Sequence, residues 1–230
     1  MWQAQIAALA DRADCSVADY GSLDSLAGMA QSVLEHAPAE FAVVGHSMGG
    51  RVALEVLRRA GECVRGLALL DTGYQARDSG DAGERERRER MELVDFARRS
   101  GMRAMGARWV RGMIHPDRLD DASLMDAILD MIEWKNVTVF EAQQRALLAR
   151  PEAGPLLSEI GCSTLILCGR QDAWSPLARH EEMARRIAGS RLVVVERSGH
   201  MSTMERPGEV SAALKEWLGS SVDPVSAAPR

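Results

Sequence analysis

Three residues of this chain have the types and the sequence order of a nucleophile, an acid and a base. Ser47 lies in Phe41-Ala42-Val43-Val44-Gly45-His46-Ser47-Met48-Gly49-Gly50, a short apolar run that ends in Gly-x-Ser-x-Gly. Asp172 lies in Gly169-Arg170-Gln171-Asp172-Ala173-Trp174-Ser175-Pro176, and His200 in Ser198-Gly199-His200-Met201-Ser202. A serine hydroxyl is a poor nucleophile until a base accepts its proton. Imidazole serves as that base when a carboxylate fixes its tautomer and stabilises its charged form. Taken singly, Asp172 reads as a loop-capping aspartate and His200 as a structural histidine; their joint order gives them chemical meaning.

The elements around these residues must place all three at one edge. The run before Ser47 reads as a buried strand, and Arg51-Val52-Ala53-Leu54-Glu55-Val56-Leu57 after it carries helical periodicity. A strand turning sharply into a helix strains the serine backbone, lifts Oγ off the sheet and sets it at a positive helix end. Gly45 and Gly49 are read as the residues that relieve clashes in that turn. Val64 to Asp71, Thr164 to Cys168 and Arg191 to Glu196 are further buried strands, and Asp172 and His200 follow the last two. Cys15 to Asp19 is a short strand candidate. Helices are predicted over Trp2 to Leu9, over Leu23 to Leu34 with Asp24 or Ser22 as N-cap, over Leu177 to Ile187, and from Pro207 to about Leu218. Alternating strands and helices predict a parallel sheet with helices on its faces. Sites in such sheets assemble at the carboxyl ends of the strands.

The pattern changes between Thr72 and Gly154. Gly73, Gly80 and Gly83 bound a loop, and four helices are predicted over about 84–100, 102–114, 122–134 and 137–150 with no strand among them. The expected organisation is therefore core residues 1–72, an all-helical cap over 73–154 inserted after the second strand of the elbow region, core residues 155–218, and a disordered Ser-, Ala- and Pro-rich tail over 219–230.

Composition narrows the function. The 230 residues carry a net charge of -5, which gives no basic face for nucleic acid. The four cysteines show no metal-ligand spacing, and no metal or other cofactor is expected. No apolar stretch reaches the length of a membrane span, and the N-terminus lacks the pattern of a signal peptide, so a cytoplasmic location is expected. The partner is a small-molecule substrate, and a homodimer is compatible with the sequence. The methionines of the helical region and Trp174 are candidates to line a pocket, although helical spacing makes most of those methionines core residues. His46, Trp174, Met201 and Met113 are the pocket candidates. Arg108 and Arg111 read as solvated.

The three motifs together resemble the α/β-hydrolase superfamily, in the lipase, esterase and lactonase group with a helical cap. The resemblance covers nearly the whole chain apart from the tail. It implies an α/β-hydrolase fold, Ser47 as nucleophile, His200 as base, Asp172 as acid, and the Met48 backbone N–H as an oxyanion donor. Asp71 occupies the alternative acid position and is read as structural. The sequence departs from that family in one place. The loop that normally gives a second oxyanion donor, carrying His-Gly or Pro-Gly, is missing. In the usual strand order its strand would lie between the Val17 and Val43 strands, so its loss would open a gap inside the sheet, either because the chain begins late or because the neighbours close up. The expected function is hydrolysis of a small carboxylic ester or lactone through an acyl-enzyme. The alternatives are a C–C bond hydrolase or lyase using the same residues, or a catalytically impaired relative acting as a binding protein.

Overall fold

The computed structural model describes residues 1–221, apart from the Ser221 side chain. A four-stranded, fully parallel sheet, in the order β1 (Phe41–His46), β2 (Val64–Leu70), β3 (Ser163–Gly169), β4 (Arg191–Val195), forms its centre. Side chains alternate across the inner strands. Leu67, Leu69 and Ile166 face one core cluster, with α2 (Leu26–His36), α3 (Met48–Ala60) and α9 (Leu177–Arg186). Ala68, Leu70, Leu165 and Leu167 face the other, with α1 (Gln3–Leu9) and α11 (Pro207–Ser221). Burial on both faces explains why these strands read as continuous apolar runs.

Between β2 and β3 lie α4 (Gly80–Ser100), α5 (Met102–Trp109), α6 (Ala122–Glu133), α7 (Val137–Leu148) and the single turn α8 (Gly154–Leu157), with no strand. These helices bury a core of their own that includes Val94, Met105, Ile128 and Phe140. Met91, Met102, Met125 and Met131 pack against it, which makes them packing residues first. The short helix α10 (Ser202–Glu205) follows the His200 loop and was not expected.

Several expectations need correction. Cys15 to Asp19 forms no strand: the segment is irregular, and Val17, its one large apolar residue, is 58% exposed. A run with a single apolar side chain gains too little burial to hold a sheet position. β1 is consequently an edge strand, and the anticipated gap inside the sheet does not arise. Helix α2 starts at Leu26 and is capped by Ser25, whose Oγ accepts the Gly28 N–H at 3.1 Å, in place of Asp24 or Ser22. α4 begins at Gly80, so Gly80 and Gly83 belong to the helix. The second insertion helix ends at Trp109 and passes into a 3-10 turn, Val110–Gly112. Of the expected tail, residues 219–221 continue α11, and 222–230 lie outside the described residues.

Candidate active site

The elbow is built by steric exclusion. Ser47 sits at φ 53° and ψ -117°, a strained conformation for a non-glycine residue. Its N–H bonds the Leu70 carbonyl at 2.9 Å, which ties the turn to β2. A Cβ on Gly45 would lie 2.2 Å from the Gly49 carbonyl oxygen, and one on Gly50 would lie 2.6 Å from the Thr72 side chain. A Cβ on Gly49 would meet nothing within 4 Å. The crowded pair is therefore Gly45 and Gly50, which corrects the role read for Gly49. Ser47 stands at the N-cap of α3 without a capping bond from its side chain, leaving Oγ free.

That Oγ lies 2.8 Å from His200 Nε2. On the other side of the ring, Nδ1 lies 2.8 Å from Asp172 Oδ2. Asp172 Oδ1 accepts the backbone N–H groups of Trp174 and Ser175, each at 2.8 Å. Both Asp172 and His200 are nearly fully buried. The three residues, held by loops after β1, β3 and β4, thus form one hydrogen-bonded chain at the carboxyl edge of the sheet. Met48, the first residue of α3, has an N–H with no intrahelical acceptor, at the positive end of that helix. The described residues hold no strand beyond β1 to carry a second donor loop.

The pocket candidates separate. The Trp174 ring is 5.0 Å from the His200 ring and 5.1 Å from Trp109, which in turn packs on Phe140 at 5.4 Å. This aromatic row runs from the insertion to the imidazole. Met201 is 1% exposed and belongs to the insertion core, so its side chain packs there. Met113 is buried too, and its carbonyl accepts the His200 backbone N–H at 2.6 Å. His46 lies behind the site: its ring is buried and its Nε2 donates to the His200 carbonyl at 2.7 Å. Arg108 and Arg111 are exposed, the former over the Phe96 ring.

Asp71 is fully buried directly behind these groups. Its Oδ1 accepts the Gly169 N–H at 2.8 Å, and its Oδ2 accepts the Ser202 hydroxyl and lies 3.4 Å from His46 Nε2. Burial by itself would lower the His46 pKa and raise that of Asp71, but their mutual attraction reverses both directions and favours an ion pair. Asp71, Cys168 and Asp172 also bring potential cation ligands within 4.8 Å of one another. Both carboxylates are occupied by the bonds just described. Burial and the two carboxylates raise the Cys168 pKa, which keeps the thiol protonated, so the trio is a poor cation site.

Two further buried groups escaped the sequence reading. His180 accepts the Thr72 N–H on Nε2 at 3.0 Å, and burial lowers its pKa, which suits a neutral acceptor. Glu205 accepts the N–H of Gly199 at 2.8 Å and that of His115, in the insertion, at 2.7 Å. Neither carried a sequence signal: Glu205 ends α10, two residues before the proline that opens α11, and His180 is a lone histidine in a helix.

A family model described as "Alpha/beta hydrolase family" matches residues 7–213. The chain belongs to the α/β-hydrolase family. It is 28% identical over 186 residues to the pimeloyl-acyl-carrier-protein methyl ester esterase of Neisseria meningitidis, spanning 79% of this chain and 69% of that protein. A thermophilic esterase from Thermogutta terrifontis, solved with malate bound, superposes with a TM-score of 0.82 at 27% identity, covering 96% of this chain and 85% of that one. The enol-lactonase of Burkholderia xenovorans shares the fold, with a TM-score of 0.76 at 21% identity and coverage of 95% and 85%. This α/β hydrolase therefore has esterases among its relatives, as the sequence motifs implied.

Proposed function

We propose that the protein hydrolyses a small carboxylic ester or lactone through a covalent acyl-enzyme on Ser47. The observation that carries this reading is the unbroken chain Ser47 Oγ, His200 Nε2, His200 Nδ1, Asp172 Oδ2, with both links at 2.8 Å. His200 takes the proton as Ser47 Oγ attacks the carbonyl, and Asp172 stabilises the resulting imidazolium. The charge that develops on the carbonyl oxygen is met by the Met48 N–H and the N-terminus of α3. His200 then returns the proton to the leaving oxygen, and water attacks the acyl-enzyme by the same route in reverse.

The helices between β2 and β3 act as a cap over this site, with Trp174 and the Met113 segment beside the imidazole and Trp109 behind Trp174. An apolar wall of that kind suits a compact acyl or ring substrate. The Neisseria relative is named for a methyl ester of a carrier-protein-bound acyl group, which supports ester hydrolysis, and the Thermogutta esterase structure holds malate, a small dicarboxylate.

A fluorophosphonate probe tests the reading. Covalent labelling of the folded protein is expected, lost in Ser47→Ala and much slower in His200→Ala. Folded protein that takes no label would favour the binding-protein alternative.

A further inference from the structure

Two arginines beside the proposed triad have no ion-pair partner among the described residues. Arg51 lies one helical turn beyond Ser47 on α3, and Arg179 lies in the first turn of α9. The position of a Cβ on Gly73 would be 3.1 Å from Arg51 Nη2 and 3.2 Å from Arg179 Nη1, so both guanidiniums flank one backbone position that only glycine leaves free. Arg51 Nη1 donates to the Gln75 carbonyl at 2.8 Å, and Arg179 Nη1 donates to the Trp174 carbonyl at 3.2 Å. Among the described residues neither arginine forms an ion pair, and Nη2 of Arg51 has no protein acceptor.

The carboxylates in the neighbourhood are committed elsewhere. Glu86 binds Arg150 and Arg90, Glu55 binds Arg58, and Glu152 accepts the N–H groups of Ala76 and Gly154. Burial pushes the Arg51 pKa down to about 9, helped by the charges of Arg150, Arg179 and Arg90 and opposed by Glu86. A guanidinium otherwise stays charged far above that range, and a crowded, partly buried cluster of them favours an anion.

The pair belongs to the same edge as the triad. Gly73 follows Thr72, whose hydroxyl donates to the Ser47 carbonyl at 2.6 Å. Trp174, which holds Arg179 through its carbonyl, lies against the His200 ring. We propose that Arg51 and Arg179 form an oxyanion subsite that takes a carboxylate carried at the non-reacting end of the substrate. The inference rests on the hydrolase reading for the word substrate, but not for the anion. Planar guanidinium forks match carboxylate oxygens in pairs, which gives the site direction as well as charge. A free oxyanion such as phosphate shares that chemistry, so the test separates the two sources.

Melting temperature is measured with glutarate, phosphate or chloride at constant ionic strength. In parallel, kcat/KM is measured for mono-p-nitrophenyl glutarate and for neutral p-nitrophenyl butyrate. The proposal expects glutarate to raise the melting temperature and the charged ester to be preferred by about tenfold or more. Arg51→Gln and Arg179→Gln should each lose the glutarate shift and bring the ratio of the two esters towards one, mainly through KM. Arg179 is partly exposed, so its variant serves if Arg51→Gln does not fold. Stabilisation by phosphate as strong as by glutarate, with no preference for the charged ester, would overturn the substrate assignment. No stabilisation and no preference would overturn the subsite altogether. A glutarate shift that needs Arg51, in a protein that cleaves neither ester, would uphold the subsite and overturn the hydrolase reading.

Discussion

The backbone N–H of His200 donates to the carbonyl of Met113 at 2.6 Å, so a residue of the helical insertion holds the loop that carries the imidazole. The same contact is closed from the other side. Glu205 grips Gly199 and His115 with one carboxylate, and Arg118 donates to the Glu205 carbonyl at 2.8 Å. Gly199 has no room for a side chain, because a Cβ there would lie 2.7 Å from the Met113 oxygen. Insertion and imidazole loop are therefore one mechanical unit at this end.

Glu205 is accordingly predicted to be a positioning residue for His200. Glu205→Gln keeps one acceptor oxygen but turns an amide towards a backbone N–H, and a loss of kcat of about ten- to a hundredfold is expected, with KM changed little. The backbone donor can be deleted separately. His115 has φ -59°, which proline can adopt, so His115→Pro removes the N–H, while His115→Ala keeps it. The proline variant should lose more activity than the alanine variant. Equal rates in the two would remove the His115–Glu205 bond from the mechanism.

The two buried aspartates should respond differently. Asp172→Asn is expected to lower kcat by about 10⁴ while the protein still folds, because it fixes the wrong imidazole tautomer. Asp71→Asn leaves His46 without its counter-ion and is expected to destabilise by about 3 kcal/mol, with a smaller loss of kcat. Chemical unfolding together with ester kinetics separates the two effects. A large kcat loss in Asp71→Asn, with little in Asp172→Asn, would reassign the acid.

The elbow glycines give a steric test. Gly45→Ala and Gly50→Ala should each destabilise by about 2 kcal/mol or more, since the new methyl meets backbone or Thr72 within 2.6 Å. Gly49→Ala lies in open space within a helix and should be neutral or stabilising by up to about 1 kcal/mol. Denaturant midpoints for the three variants decide it, and an equal loss in Gly49→Ala would contradict the structure.

Acid should loosen the insertion through Glu86. Burial alone would raise its pKa, but Arg150 and Arg90 bring it down to about 2. A depressed carboxylate pKa contributes stability that is present above the unfolded value of 4.5 and is lost as pH falls towards 2. The group is partly solvated, so solvent screening limits the contribution to roughly 1 to 2 kcal/mol. Melting curves between pH 6 and 3 should show Glu86→Gln losing less stability than the parent over that interval; parallel curves would deny the role.

By itself the sequence determined the parts that depend on local pattern. The apolar runs before Ser47, Asp172 and His200 specified parallel strands, although only β3, before Asp172, is buried on both faces, while β1 and β4 lie at the sheet edges and are partly exposed. Three loops after three such strands then share one edge, which was enough to read the fold and to pair Ser47, Asp172 and His200. The helical stretch after β2 was legible from its period and from the lack of any strand pattern. Tertiary structure alone decided the rest. Cys15 to Asp19 was a strand candidate, but its one large apolar residue, Val17, finds nothing to cover it and stays 58% exposed. His46 and Met201 flank the motif residues in sequence, yet one turns behind the site and the other into the insertion core. Met113, Glu205 and the arginines Arg51 and Arg179 owe their meaning to contacts between segments up to 128 residues apart, as Arg51 and Arg179 are. A hydrogen bond or a missing ion-pair partner is a property of two positions in space, and one-dimensional spacing does not encode it.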